Sequence, residues 1–171
     1  MHVTLRAALR SLRSQFVAPT VLGALKAANR ADFRVIHYSI QANHLHLIVE
    51  ARTTEALSSA MRGLAVRLAR RVNRLLFRRG RVWLDRWHGV ELTSPRQVRN
   101  ALIYVLHNHA KHSAACRADL DPLSSAPSFC GFATAQLGVA RAGPSAEAQT
   151  WLLRVGWQRH GLIRPDEMPA R

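Results

Sequence analysis

Two β-rich runs, FRVIHYSI (33–40) and HLHLIVEA (44–51), are separated by only Gln41, Ala42 and Asn43. A connection that short joins antiparallel neighbours, because a parallel crossover takes a dozen residues or more. The rest of the chain must therefore pack around this hairpin. In the second run, side chains two apart share a face, so His44 and His46 project to one side, about 6.6 Å apart along the strand. Leu45, Leu47 and Val49 project to the other, the side a layer of helices covers.

The flanking segments supply the layers. HVTLR (2–6) alternates Val3 and Leu5 with polar neighbours, as a half-buried strand does. Val21, Leu22, Leu25 and Ala28 predict a helix near 19–30. From Thr53 and Thr54 the period changes, and Leu57, Met61, Leu64, Leu68, Val72 and Leu75 mark one face of a long helix ending near Gly80. GRVWLDRWHGVEL resumes strand character through Val82, Trp83, Leu84 and Val90. The order βαββαβ predicts an α+β, ferredoxin-like palm: an antiparallel sheet with helices on one face.

Ser94, Pro95 and Gln97 then form a capping-box start with proline at the first helical position, and predict a helix from about Pro95 to Lys111. Palm and helix together occupy 1–112. Residues 113–144, rich in Ala, Ser, Gly and Pro, read as an irregular linker or surface wrap. Residues 145–171 form a helical tail whose amphipathic piece carries Trp151, Leu152, Val155 and Trp157, with Gly161 as a stop.

Charge narrows the partners. The chain has 25 Lys+Arg, of which 23 are arginine, against 10 Asp+Glu, a formal charge of +15. Such an excess repels itself unless it meets a polyanion, and the guanidinium fork suits phosphate. Nucleic acid is the expected partner; an ordinary solvated arginine surface is the alternative. Nine arginines and one acid, Asp85, lie between Arg62 and Arg86. At helical spacing Arg67, Arg70, Arg71, Arg74 and Arg78 fan over the outer face of the second helix as a backbone track, and Arg81 and Arg86 flank the last strand. Trp83 and Trp87 either stack on a base or simply pack. No run of about 18 apolar residues suggests a membrane span, and no secretion signal opens the chain, so a cytoplasmic, nucleoid-associated protein is expected. Cys116 and Cys130, with no CxxC pair, read as reduced thiols.

Two imidazoles on the uncovered face of a sheet can bite one metal ion, or can be simple hydrogen-bonded histidines. On the helix after Ser94 the apolar stripe Val98, Ala101, Leu102 and Val105 leaves Tyr104 and Asn108 four apart on its shoulder. Should that helix cross the histidine-bearing face, a phenol and a carboxamide oxygen reach the same spot. His107, His109 and His112 crowd the same helix, for a proton shuttle or for its dipole. Glu50, on the same face as His46, reads as a surface acid or an extra carboxylate. His37 and Tyr38 read as structural.

The set NHLHLIV (43–49), GRVWLDRWH (80–88) and VRNALIYVLHNHAKH (98–112) resembles the HUH single-strand DNA transposases that use one catalytic tyrosine. It looks most like the REP-associated tyrosine transposases, relatives of the small bacterial insertion-sequence transposases. The likeness covers about residues 31–112, with a softer echo in 150–163. It implies that His44, His46 and Asn108 bind Mg2+ or Mn2+ and that Tyr104 is the nucleophile. The implied substrate is single-stranded DNA near a hairpin, cut to a 5′-phosphotyrosine and a free 3′-hydroxyl, by a homodimer or a hairpin-bound monomer. A free phenol, with a pKa near 10, is a poor nucleophile at neutral pH until its proton is drawn off or its oxygen aligned. A divalent ion polarises the scissile phosphate, and imidazole ligands favour manganese. Two other readings stay open: a nucleic-acid-binding palm without catalysis, and a phosphoesterase that uses the histidines without covalent attachment.

Overall fold

The computed structural model describes residues 1–111, 120–134 and 143–168. Its strands are β1 (His2–Arg6), β2 (Phe33–Ile40), β3 (His44–Ala51) and β4 (His88–Val90); its helices are α1 (Val17–Lys26), α2 (Thr54–Leu75), α3 (Pro95–Leu106) and α4 (Trp151–Arg154). The sheet runs β2-β3-β1-β4 with every neighbouring pair antiparallel. This is the α+β palm that the alternation in β1 and the 33–51 hairpin predict.

Each face of the sheet carries its own core. On one side Val3, Leu5, Leu45, Leu47 and Val49 meet Val21 and Leu25 of α1 and Leu57, Met61, Leu64 and Leu68 of α2. Fully burying each such side chain contributes about 1.5–3 kcal/mol. On the other side Ile36 and Ile48 meet Val98, Leu102 and Val105 of α3, with Leu153, Trp157 and Ile163 in the same cluster. The two palm helices therefore share one face, and α3 with the later segments adds a layer on the other.

Helix starts follow their caps. Thr53 accepts from the Ala56 N–H at 3.1 Å and Ser94 from the Gln97 N–H at 3.3 Å. Helix ends depart from the sequence pattern. α1 stops at Lys26 because Asn29 is drawn into ties: its Oδ1 accepts from Val35 N–H (2.7 Å) and its Nδ2 donates to Pro144 O (2.8 Å). α2 ends at Leu75, not near Gly80; Leu75 is 38% exposed, and the chain turns through Phe77 (φ 48°) and Gly80 (φ 103°). α3 ends at Leu106, and Asn108–Lys111 continue as a 3-10 turn. The expected fourth strand shrinks to three residues, while Val82 and Leu84 only touch the end of β1, through Ala8 N–H to Val82 O (2.8 Å) and Leu84 N–H to Arg6 O (2.9 Å).

Long-range polar clamps hold the later segments. Arg13 grips Asp121 with two bonds of 2.8 and 2.9 Å, and Ser125 N–H donates to Tyr38 O at 2.9 Å, along the β2 edge. Glu50, 7% exposed, accepts from the N–H groups of Gln149 and Thr150 (2.8 Å each) and from the Thr150 hydroxyl (2.6 Å). Arg99 of α3 forks onto Glu167 at 2.6 and 2.8 Å. Because Glu50 fixes the start of α4, Leu153 and Trp157 turn inward, whereas Trp151 and Val155, read from the sequence as its apolar face, stay half exposed. No helix of the described residues is long and apolar enough to cross a membrane.

Candidate active site

The register of the sheet places one polar row beneath α3. Ser39 of β2, His46 of β3, Thr4 of β1 and His88 of β4 stand opposite one another in turn, with His44 opposite Arg6 and His2 opposite Ile48. His46 is 6% exposed, and its Nδ1 lies 3.2 Å from the Thr4 hydroxyl. His44 Nδ1 donates to Asn43 Oδ1 at 2.8 Å, which places its lone pair on Nε2, the nitrogen a metal ion would use.

Tyr104, half-buried on α3, comes down onto this row. Its ring lies 5.2 Å from that of His46, edge to face at 81°, and 5.5 Å from that of His2. His46 stacks at 5.8 Å on His44 and at 5.6 Å on His2. Burial pushes His2 down to about 4, helped by the N-terminal ammonium and His88, so it is a neutral imidazole at pH 7.

The structure thus brings Tyr104, His44 and His46 together. It does not carry Asn108 on the same α-helical face as Tyr104: α3 has ended two residues earlier, and Asn108 sits in the 3-10 turn, 3% exposed. Among the described residues no three His, Cys, Asp or Glu side chains form a metal-holding cluster, so the candidate donors here are the two imidazoles. That donor set suits an ion tolerant of nitrogen whose remaining positions are filled by oxygen from amide, phosphate or water.

Several other readings are revised. Glu50 is a buried clamp, neither a surface acid nor a carboxylate of the site. His107 packs on Phe132 at 5.7 Å, and burial lowers its pKa against the raising influence of Glu167 and Asp166. His109 is half-buried and Cys130 is an exposed thiol, while His112 and Cys116 lie outside the described residues. Arg67, Arg70, Arg71 and Arg74 are exposed on α2, across the sheet from Tyr104. Arg78 has left the helix and donates to Arg81 O at 2.9 Å; Arg81 and Arg86 are exposed in the segment leading to β4. Sequence reasoning missed His2, Thr4 and His88. The signal was present in HVTLR, whose polar positions share a face that joins the histidine row once β1 pairs with β3.

A four-stranded palm with imidazoles on one face and a tyrosine-bearing helix laid over them defines a class of α+β protein with a polar seam between sheet and helix. The chain belongs to the family described as Transposase IS200 like, whose model matches residues 18–105, just over half of its length. Its fold is similar to that of the REP-associated tyrosine transposase solved bound to a REP hairpin. That match has 19% identity and a TM-score of 0.54, covering 72% of this chain and 74% of the other. No curated protein matches the chain.

Proposed function

We propose that this transposase-family chain nicks and rejoins single-stranded DNA beside hairpin repeats through a covalent 5′-phosphotyrosine on Tyr104. The observation that carries the reading is the meeting of the Tyr104 and His46 rings at 5.2 Å, between a helix and a strand far apart in sequence. In the nicking step the Tyr104 oxygen bonds to phosphorus, the P–O3′ bond breaks, the phenolic proton leaves and the departing 3′-oxygen takes up a proton. Rejoining reverses this, with a 3′-hydroxyl attacking phosphorus and the phenol leaving, so the phosphodiester energy is conserved. His44 and His46, with the Asn108 carboxamide, would hold Mg2+ or Mn2+, which when bound polarises the scissile phosphate. The Asn43 bond orients His44, and Thr4 and His2 hold His46 and the tyrosine ring in place. The basic surface, including Arg81 and Arg86, supports DNA as the partner.

Labelled hairpin-bearing single-stranded DNA, incubated with the protein and manganese and run on a denaturing gel, tests this. A covalent adduct that disappears in Tyr104→Phe is the expected result. Cleavage that survives the substitution points instead to a phosphoesterase. Salt-sensitive binding with neither cleavage nor adduct overturns catalysis altogether.

A further inference from the structure

On the α1–α2 side of the sheet, away from Tyr104, a cavity of about 670 Å³ opens between α2 and the 81–87 segment. That volume lies within the range of sites for small ligands, about 300–1,000 Å³. It is lined by the half-buried Trp83 and Trp87 and by Arg62, Arg81 and Arg86, all exposed, with Asp85 the one acid present. Both indoles are held in place. Trp83 Nε1 donates to Ala65 O at 2.9 Å, and Trp87 lies so close to Gly89 that a Cβ there would come within 2.7 Å of its ring. Among the described residues none of the three arginines forms an ion pair.

Fixed aromatic faces beside three guanidinium groups outside any ion pair, one of them, Arg81, also donating to Leu84 O at 3.0 Å, suit a planar base carrying a phosphate. We propose that this cavity binds one unpaired nucleotide of the DNA strand, its base stacked on an indole and its phosphates against Arg62, Arg81 and Arg86. Asp85 offers an acceptor to the amino or imino edge of that base. The route from the tyrosine is short. His88 stands opposite Thr4 in the polar row, whereas Trp87, the preceding residue, packs on the α1–α2 core. A strand that rounds the three-residue edge β4 passes from one face to the other. The inference rests on DNA being the partner, but not on the chemistry assigned to Tyr104.

The test uses the full chain carrying Tyr104→Phe and two fluorescent DNAs: a hairpin with a short single-stranded extension, and the same hairpin blunt. Trp87→Ala is expected to weaken binding of the extended DNA by about 5- to 150-fold, the range for loss of one stacked base, and to change blunt-hairpin binding by less than about twofold. Equal weakening of both DNAs, or of neither, overturns the pocket. Because Trp87 also packs on the core, the chain with Trp83 and Trp87 intact is cross-linked in parallel to extensions carrying 5-iodouracil at successive positions. An adduct on Trp83 or Trp87 is expected; adducts confined to the outer face of α2 or to the α3 side overturn the proposal. Extension-dependent binding by this chain, with no covalent adduct when the chain retaining Tyr104 is run on the denaturing gel, sinks the strand-transfer reading and leaves the pocket standing. An adduct without extension-dependent binding does the reverse, and no binding to either DNA sinks both.

Discussion

On the α1–α2 side of the sheet, Val3, Leu5, Leu45, Leu47 and Val49 are at most 1% exposed and pack into a hydrocarbon core. On the α3 side the same strands present His2, Thr4, His44, His46 and Glu50, with Ile48 the one isoleucine among them. The first side is closed by helices that follow their strands closely in the chain. The second is closed from a distance, with Glu50 bonded to Thr150 100 positions away and Arg99 to Glu167 68 positions away. Hydrocarbon burial is non-directional and tolerates small displacements, whereas a polar layer holds only where each group finds its partner. Both faces thus bury hydrocarbon, but only the second also carries a polar row, held in register by long-range polar bonds.

The sharpest way to break this contrast is a pair of neighbouring substitutions. Leu47→Ala is expected to cost about 2–5 kcal/mol in urea unfolding, whereas His46→Ala, one residue away and facing the other side, costs less and removes adduct formation. Equal stability losses would mean that the faces do not differ as described. Next in size, Glu50→Gln weakens the charge-assisted bonds to Thr150 and costs about 1–3 kcal/mol. Its signature is early proteolysis in the 143–150 region, with α1 and α2 still protected; uniform loss of protection contradicts a clamp specific to the second face.

A pH titration sharpens the same comparison. His37, edge-on to Phe129 and bonded to the Ser125 hydroxyl, is driven by burial from 6.5 down to about 4. Between those values the unfolded chain binds a proton that the folded chain refuses. Stability from this group is therefore complete above about pH 6.5 and is lost as pH falls toward 4, by at most about 1.4 kcal/mol per pH unit. His37→Gln should flatten that part of the unfolding profile; an unchanged slope refutes the assignment. The smallest effect is a control: Thr53→Ala on α2 and Ser94→Ala on α3 should each cost about 1 kcal/mol, since a cap serves its own helix whichever face it covers. A cap on α3 worth several times more would show that the polar layer depends on helix ends as well as on its clamps.

Local pattern carried β1, the hairpin and the Ser94 cap, because alternation and capping are decided within a few residues. It placed His44 and His46 on one face for the same reason. The ends of α2 and α3 were not legible: past Leu75 the pattern loses its burial, with Phe77 fully exposed, whereas past Leu106 the chain tightens into a 3-10 turn although His107 and Asn108 stay buried. The tail misled for a different reason, since Glu50, far away in the sheet, decides which of Trp151 and Leu153 turns inward. At the site, the meeting of Tyr104 with His46 depends on where α3 crosses. The contribution of His2 and Thr4 depends on β1 pairing with β3, and no local spacing encodes either.

The Glu50 carboxylate also implies an order of assembly. It lies in the hairpin, and the three donors that satisfy it arrive only when Gln149 and Thr150 do. Without those donors a buried carboxylate would stand unsatisfied, so the second face can close over Glu50 only together with the start of α4. The joint that seals the second face is therefore a single charged hinge point, drawn from one carboxylate and two consecutive residues.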